Sequence, residues 1–280
     1  MARALPMVRG EGHYMGMGLS LPRFASIDLG GQWRDLCVVS FIDHGIVLDA
    51  RAHGETHAVA DIFTQGKGRW AGLVYGGQGR KMRPILQPGN EVKADWKGRG
   101  EDSLGHFTLE LTHARAAEAM QDRLSLAGLS ASCALALAVL PEREAHAPSY
   151  EAMAVLLDNL DHIELWPALM ARWELGLLAE LGFGLTLDRC AATGAREQLV
   201  YVSPRSACAV CAEAGEPYKD KLLPLPAFLR GASVEASLQD ALDALQTTGH
   251  FIETRILHVS DKQLPEARLR VIELLQAQLD

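Results

Sequence analysis

The sequence predicts an α+β protein in which a small N-terminal β-barrel precedes a helical domain. From about residue 41 to residue 112, apolar and polar side chains alternate in short runs. From about residue 114 onward, apolar residues recur at helical spacing, until residues 187–219 interrupt that pattern with a short module that carries three cysteines. With 280 residues, the chain has the length of two domains.

Period-two alternation identifies five strands, which lie at 45–48, 58–64, 70–75, 92–97 and 107–112. Clusters of Gly, Pro and Asn separate these runs, as expected between antiparallel strands. Five strands within so short a segment favour a five-stranded OB-fold barrel over residues 38–115, with an SH3-like barrel as the open alternative.

Helical spacing predicts the second domain, residues 116–280. We expect one helix over 116–140 ended by Pro141, a second over 150–160 capped by Ser149, and a third that begins at Pro167 and ends at Gly182 and Gly184. Further helices are predicted over 222–230, 238–245 and 267–279, and a strand over 199–202.

The cysteines of residues 187–219 have half of the spacing of a zinc ribbon. Cys208 and Cys211 are separated by two residues, but Thr193 stands where a second cysteine would follow Cys190. A closed structural zinc site needs four Cys or His ligands. Cys190, Cys208 and Cys211 are therefore metal candidates only if a fourth ligand comes from elsewhere, and we predict a zinc-ribbon-like insertion without metal and no cofactor.

The cysteine pattern and the N-terminus bear on cellular location. Five unevenly spaced cysteines favour a reducing compartment, so we expect a cytoplasmic protein. No apolar run reaches the roughly 20 residues of a membrane span. Residues 1–37 follow neither structural period, and we expect either a poorly ordered N-terminal extension or a start codon assigned too early.

Residues 67–99 form a basic island in an acidic protein. Eight basic and two acidic side chains give this island a charge of +6, whereas the whole chain carries −8, so the remaining residues sum to −14. Basic side chains neutralise phosphates, and aromatic rings stack on unpaired bases. The predicted nucleic-acid-binding residues are Lys67, Arg69, Trp70, Tyr75, Arg80, Lys81, Arg83, Lys93, Lys97 and Arg99. The alternative is that these charges form an ordinary solvated surface.

Catalytic motifs are missing from the sequence. No nucleophile elbow, HExxH motif or phosphate-binding loop occurs, and the glycine turn at residues 76–79 does not fit the dinucleotide fingerprint. We therefore predict a protein that is not an enzyme.

Several segments resemble the RecO family of DNA repair proteins. They are GIVLDARAHGE (45–55), GRWAGLVYGGQGRKMRPILQPGN (68–90), RWELGLLAELGFGLTLDRCAATGA (172–195), LVYVSPRSACAV, PYKDKLLPLPAFLR and the C-terminal LPEARLRVIELL. Their order and spacing carry the resemblance, which covers about residues 43–278.

The resemblance implies an OB-fold, a helical domain and a zinc-ribbon-like insertion. It also implies a recombination mediator of the RecF-type pathway that binds single- and double-stranded DNA and anneals complementary strands. Such a protein works with a RecR-type partner to load recombinase onto DNA covered by single-strand-binding protein. The alternative function is a non-catalytic adaptor whose basic OB domain binds acidic protein tails.

Overall fold

The computed structural model describes residues 39–100, 102–231 and 235–279. The predicted N-terminal extension, residues 1–37, lies outside the described residues. The described part of the chain begins with five strands, continues with four helices, and ends with a small three-stranded sheet and further helices.

The first five strands close into a barrel in the order β1-β2-β3-β5-β4. Their bounds confirm the five predicted strands and lengthen the first: β1 (Val39–His53), β2 (His57–Thr64), β3 (Gly68–Val74), β4 (Glu91–Gly98) and β5 (His106–His113). The first half of β1 pairs antiparallel with β4 and its second half with β2. Closure comes from a short parallel pairing of β3 with β5.

Alternation along the strands gives the barrel two apolar faces. Trp70, Trp96 and Phe107 belong to the core inside the barrel, together with Val47 and Ile62. The outer face at Ile46, Leu48 and Phe63 joins the core of the helical part. The barrel therefore packs directly on the helices.

Four helices follow the barrel: α1 (Arg115–Ala119), α2 (Arg123–Val139), α3 (Ala147–Asp158) and α4 (Trp166–Glu180). The predicted single helix over 116–140 was wrong, because the Asp122 carboxylate accepts a hydrogen bond from the Ser125 N–H at 2.7 Å and starts a new helix. Ser149 does not cap α3, which begins two residues earlier and encloses Ser149 in its first turn. Pro167 lies in the first turn of α4, as predicted.

The small sheet has the order β7-β6-β8 and is formed by β6 (Leu199–Val202), β7 (Ala209–Cys211) and β8 (Leu223–Pro224). A short helix α5 (Ala212–Gly215) and a 3-10 helix (Glu216–Lys221) connect β7 to β8. The helix predicted over 222–230 was wrong. Pro224 and Pro226 lack the N–H groups of a helix, and the chain forms β8 and a 3-10 helix over Ala227–Arg230.

The last helices are α6 (Leu238–Phe251) and α7 (Glu266–Gln276), and a π-helical turn (Ile252–Ile256) and a 3-10 helix (Leu257–Ser260) follow α6. A buried ion pair links α4 to α7: the Arg268 guanidinium donates to both oxygens of Glu174 at 2.7 and 2.8 Å. The hydroxyl of Thr248 on α6 donates to the same carboxylate. Within the described residues, no helix is long and apolar enough to cross a membrane.

Candidate nucleic-acid interface

Within the basic island, residues 75–90 form a loop that connects β3 to β4. A tight turn opens this loop: Gly77 packs so closely on β2 that an added Cβ would lie 2.6 Å from the Ala58 methyl carbon. The side chain of Gln78 donates to the carbonyls of Gly54 (2.9 Å) and His57 (3.2 Å), and its backbone N–H donates to Thr56. These bonds hold the loop against the β1–β2 turn.

Asn90 fixes the far end of the loop. Its buried amide donates to the carbonyls of Pro84 (2.7 Å) and Ile85 (3.2 Å), and its oxygen accepts from the Ala116 N–H at the start of α1. The neighbouring Gly89 donates its N–H to Val47 on β1 at 2.8 Å. The loop is therefore anchored to the barrel and to the helical part at once.

Between these anchors the loop presents Arg80, Lys81 and Arg83, and all three side chains are exposed. Across the described ranges, 39–100, 102–231 and 235–279, no carboxylate forms an ion pair with any of them. The charges of this loop therefore face solvent and are available to an anionic ligand.

Tyr75 lies at the start of the same loop with 62 % of its surface exposed. The ring of His57 on β2 contacts it edge-on at 5.3 Å between centroids, and the ring of His106 on β5 lies at 5.7 Å. The His57 Nδ1 accepts the Gly76 N–H at 3.2 Å, which fixes the orientation of that imidazole. Two histidines thus support an exposed tyrosine beside the basic loop.

Trp70 occupies a different environment, because it belongs to the barrel core and is 7 % exposed. Its ring packs against Phe41 and Trp96 at 5.0 and 4.7 Å, and Arg143 lies over its face at 4.9 Å. The indole N–H donates to the Lys67 carbonyl at 2.8 Å. These contacts cover the indole, so of these two aromatic residues only Tyr75 is exposed, and base stacking on it stays a prediction.

Arg69 also points away from solvent. Its guanidinium donates to the Asp61 carboxylate at 2.9 Å and to the Leu140 carbonyl at 3.0 Å, and it pairs with Glu142 at 3.4 Å. Asp61 is almost completely buried, so Arg69 neutralises an internal charge and ties β3 to the end of α2. Arg69 was predicted to bind nucleic acid, but its guanidinium is occupied by these internal contacts and joins two parts of the fold.

The remaining predicted residues lie on the barrel surface. Lys67, Lys93, Lys97 and Arg99 are all exposed. Lys93 and Lys97 lie four residues apart on the outer face of β4, while Val92, Ala94 and Trp96 point inward. Lys97 pairs with Asp95 at 2.9 Å, which reduces its attraction for an external anion.

The cysteine module brings Cys190 close to Cys211. The Cys190 sulfur accepts the Cys211 N–H at 3.3 Å, and the Thr193 hydroxyl lies 3.6 Å from the Cys211 sulfur. Burial raises the pKa of the Cys190 thiol, but hydrogen bonds from the Thr193 hydroxyl and from backbone N–H groups of Cys211, Thr193 and Ala192 outweigh burial and lower this pKa to about 6.

These cysteines do not gather into a metal centre in the part of the chain that the structure describes, where no group of three or more His, Cys, Asp and Glu side chains could hold a metal ion. The zinc-ribbon-like character of the module stays a prediction.

Sequence reasoning missed the residues that shape the interface. Asn90, Gln78, His57 and His106 are not among the basic and aromatic residues that the sequence predicted for the site, and each acts through contacts with residues distant in sequence. An asparagine after Pro-Gly was a visible turn signal, but its buried partners were not visible in the sequence.

Comparison with known proteins places both parts of the chain in one family. Residues 39–115 match the family model described as Recombination protein O N terminal, and residues 120–265 match Recombination protein O C terminal. The two matches together cover the barrel and most of the helical part.

Similar curated proteins are each named DNA repair protein RecO. The protein of Rhodospirillum centenum is 47% identical over 237 residues, which cover 84% of this chain and 94% of that protein. The protein of Caulobacter vibrioides is 46% identical over 233 residues (83% and 96%), and that of Roseobacter denitrificans is 46% identical over 249 residues (89% and 100%). These names describe DNA repair proteins, and the two family models describe a recombination protein. The chain belongs to the RecO family.

Proposed function

We propose that this protein is a DNA-binding recombination mediator in DNA repair, which anneals complementary strands and helps to load recombinase onto single-stranded DNA. The observation that carries the proposal is the anchored loop beside the exposed Tyr75, whose three exposed cations pair with no carboxylate within the described residues. Family membership supports the repair role. By the same resemblance, the proposed partners are a RecR-type protein and single-strand-binding protein.

The barrel topology supports the OB-fold assignment within this proposal. In the barrel, β1 pairs with both β2 and β4, and a short parallel contact joins β3 to β5. OB-folds are five-stranded Greek-key barrels that bind oligonucleotides. A basic loop at the edge of such a barrel is a suitable place for a single strand.

The proposed mechanism is electrostatic and needs no bond-breaking step. Arg80, Lys81 and Arg83 would neutralise phosphates of a bound strand and release its condensed counterions. An open cavity of about 300 Å³ beside Arg83 and Gln78 offers space next to the loop for a sugar or base. Neutralised strands repel each other less, so complementary strands meet more often and anneal faster.

The first experiment measures binding of a fluorescent single-stranded oligonucleotide across a salt series. The double variant Arg80→Glu, Lys81→Glu should bind at least tenfold more weakly, and the magnitude of its log–log salt slope should fall by about 1.4 for two lost phosphate contacts. Lys262→Glu with Arg270→Glu is the control, because it makes the same charge change at exposed positions outside the basic island.

Unchanged affinity of the Arg80, Lys81 variant at low salt would show that this loop does not bind DNA. A loss of equal size in the Lys262, Arg270 control would show that only the net charge of the protein matters. Either result would contradict the proposed interface.

A second experiment tests base stacking on Tyr75. Tyr75→Ala should weaken binding of a normal oligonucleotide about tenfold, within the range of 1–3 kcal/mol for one stacked base. The same substitution should have little effect on an oligonucleotide that carries abasic sites, because no base remains to stack. Tyr218→Ala is the matched control, since Tyr218 is exposed to nearly the same extent, 61 %, outside the barrel.

The adaptor function, in which the basic barrel binds acidic protein tails, predicts a different salt dependence. The supporting observation is the same loop, whose cations have no carboxylate partner in the described part of the chain and would also attract the carboxylates of a peptide. A short acidic peptide does not release the condensed counterions of a nucleic acid, so its log–log salt slope should be much smaller. A peptide that binds tightly while oligonucleotides do not would favour the adaptor.

A further inference from the structure

An open groove of about 930 Å³ lies between α6 and α7 in the helical part. Along α6 and the turn after it, the lining residues recur every three or four positions from residue 239 to residue 253. Along α7 and the residues after it, they recur in the same way from residue 268 to residue 279. This spacing places the lining residues on one face of each helix. Two helix faces therefore form the walls of the groove.

The floor of the groove is apolar. Leu242 and Leu245 of α6 are buried in it, and Ile272 of α7 is half-buried. Leu269 and Leu279 line the same groove and remain 46 % and 47 % exposed. Adjoining apolar side chains that solvent reaches, with polar residues around them, are typical of a surface that contacts another protein.

Carboxylates stand on both sides of this apolar floor. Asp243 and Glu253 belong to the α6 side, and Glu273 belongs to α7. Throughout residues 39–100, 102–231 and 235–279, no basic side chain forms an ion pair with any of the three. The side chain of Gln239 donates to Asp243 at 2.8 Å, which orients this carboxylate and leaves its charge in place.

The basic side chains of the lining do not cancel this negative charge. Arg268 pairs with the buried Glu174 of α4 at 2.7 Å, so its charge is neutralised inside the protein. His250 is a single imidazole in a lining that holds three carboxylates free of ion pairs in the described residues. The groove is therefore negative and repels a phosphate chain. This repulsion favours a protein partner over nucleic acid.

We propose that the groove between α6 and α7 binds a basic amphipathic helix of a partner protein. Apolar side chains at i, i+3 or i+4 and i+7 of that helix would pack on Leu269, Ile272 and Leu279. Lys or Arg on its flanks would pair with Asp243 and Glu273. The 11 residues of α7 extend about 16 Å, which matches roughly three turns of a helix. This surface goes beyond the proposed function, because it serves a partner other than DNA.

The test uses a fluorescent helical peptide of about 15 residues, with Leu at i, i+4, i+7 and i+11 on one face and Lys on both flanks. Fluorescence anisotropy measures its binding to the full chain. A scrambled peptide of the same composition keeps the charge but has no apolar face, so it should bind at least tenfold more weakly. A peptide with Glu in place of every Lys should not bind, because the carboxylates of the groove repel it.

Charge reversal on the two walls should weaken binding of the amphipathic peptide. Asp243→Lys with Glu273→Lys should bind it about tenfold more weakly and with a smaller salt dependence. Glu197→Lys with Glu213→Lys is the matched control, because it makes the same charge change at exposed positions outside the groove. This control should bind the peptide within about twofold of the wild type.

A substitution on the floor tests the apolar contact at constant charge. Leu269→Gln should bind the peptide about threefold to tenfold more weakly. Leu126→Gln on α2 is the matched control, since Leu126 is also a half-exposed leucine, at 37 %, and lies outside the groove. Denaturant unfolding shows which variants remain folded. If the charge reversal lowers the unfolding midpoint, Asp243→Asn with Glu273→Gln replaces it, because it removes both charges at nearly constant size.

Four outcomes would overturn the inference. If the amphipathic peptide does not bind the wild type, the groove does not accept a basic helix. Equal binding of the scrambled peptide would show that charge alone attracts the probe. Wild-type peptide affinity in the folded groove variants would place the peptide elsewhere on the protein. If sedimentation shows a wild-type dimer that Leu269→Gln dissociates, a second copy of the chain covers the groove instead.

Discussion

Arginines have opposite roles in the barrel loop and in the helical core. Arg80 and Arg83 extend into solvent and pair with no carboxylate among the described residues. Arg268 is 3 % exposed, and the carboxylate of Glu174, the Thr248 hydroxyl and the Leu245 carbonyl complete its buried network. A charged side chain is available to an external ligand only where the fold leaves it unpaired.

The same contrast occurs within the basic island. Arg69 and Arg83 are fourteen residues apart, yet Arg69 neutralises the buried Asp61 and Arg83 faces solvent. The net charge of a segment therefore overstates the charge that a ligand meets.

Removal of the buried cation should have the largest effect. Arg268→Ala leaves the Glu174 carboxylate buried without its cation, and the free energy of unfolding should fall by about 3–5 kcal/mol. Denaturant unfolding measures this loss. The double variant Glu174→Met, Arg268→Met should be more stable than Arg268→Ala, because it removes both charges and fills the space. Equal stability of the two variants would show that the unpaired charge is not the cause.

A glycine at the end of the basic loop should have the next largest effect. Gly89 has a φ of +90°, and an added Cβ would lie 2.5 Å from the Leu129 side chain on α2. Gly89→Ala therefore combines backbone strain with overpacking and should destabilise the protein by about 2–4 kcal/mol. Gly76→Ala is the control: its φ is +66° with no atom near the added methyl, so strain alone should cost about 1 kcal/mol.

The substitution of arginine by methionine at Arg69 and at Arg83 tests whether the two side chains differ in their roles. Arg69→Met should lower the free energy of unfolding by about 1–3 kcal/mol, because it removes hydrogen bonds to Asp61 and Leu140. Arg83→Met should change stability by less than about 0.5 kcal/mol and should weaken oligonucleotide binding severalfold. Chemical unfolding and anisotropy on both variants give the readout. Similar stability losses at both positions would contradict the division into internal and external arginines.

The sequence was sufficient to predict the barrel because its signals are local. Alternation along β4 reflects which side chains point inward, and that pattern depends on neighbouring residues alone. The start of α4 at Pro167 was predictable for the same reason. The helix prediction over 116–140 was wrong because the capping signal of Asp122 was overlooked. The helix prediction over 222–230 was wrong because two prolines lie close together there, and the chain forms β8 instead.

The candidate site was less predictable because pairing is decided by tertiary contacts. Nothing near Arg69 in the sequence shows that Leu140 and Glu142 will meet its guanidinium. Trp70 and Tyr75 both look like stacking residues among basic neighbours, but Trp70 lies in β3 and is buried in the barrel core, whereas Tyr75 follows β3 and is exposed. The boundaries 38–115 and 116–280 remain a prediction, since the barrel shares apolar contacts with the helices.

The smallest predicted effect is a pH dependence at Cys190. The pKa of this thiol is about 6 in the folded protein, below the ordinary value of about 8.5 that applies to the unfolded chain. A depressed pKa contributes stability that is complete above pH 8.5, declines as the pH falls, and is absent below pH 6.

Thr193→Val removes the hydroxyl that donates to this sulfur, so the folded pKa should rise. Between pH 8.5 and 6 the wild type should therefore lose about 1 kcal/mol more of its free energy of unfolding than the variant does. Denaturant unfolding of both proteins at several pH values measures the difference, and other titrating groups cancel because both proteins share them. Parallel pH profiles would show that Thr193 does not stabilise the thiolate, and the module would then depend on its apolar contacts alone.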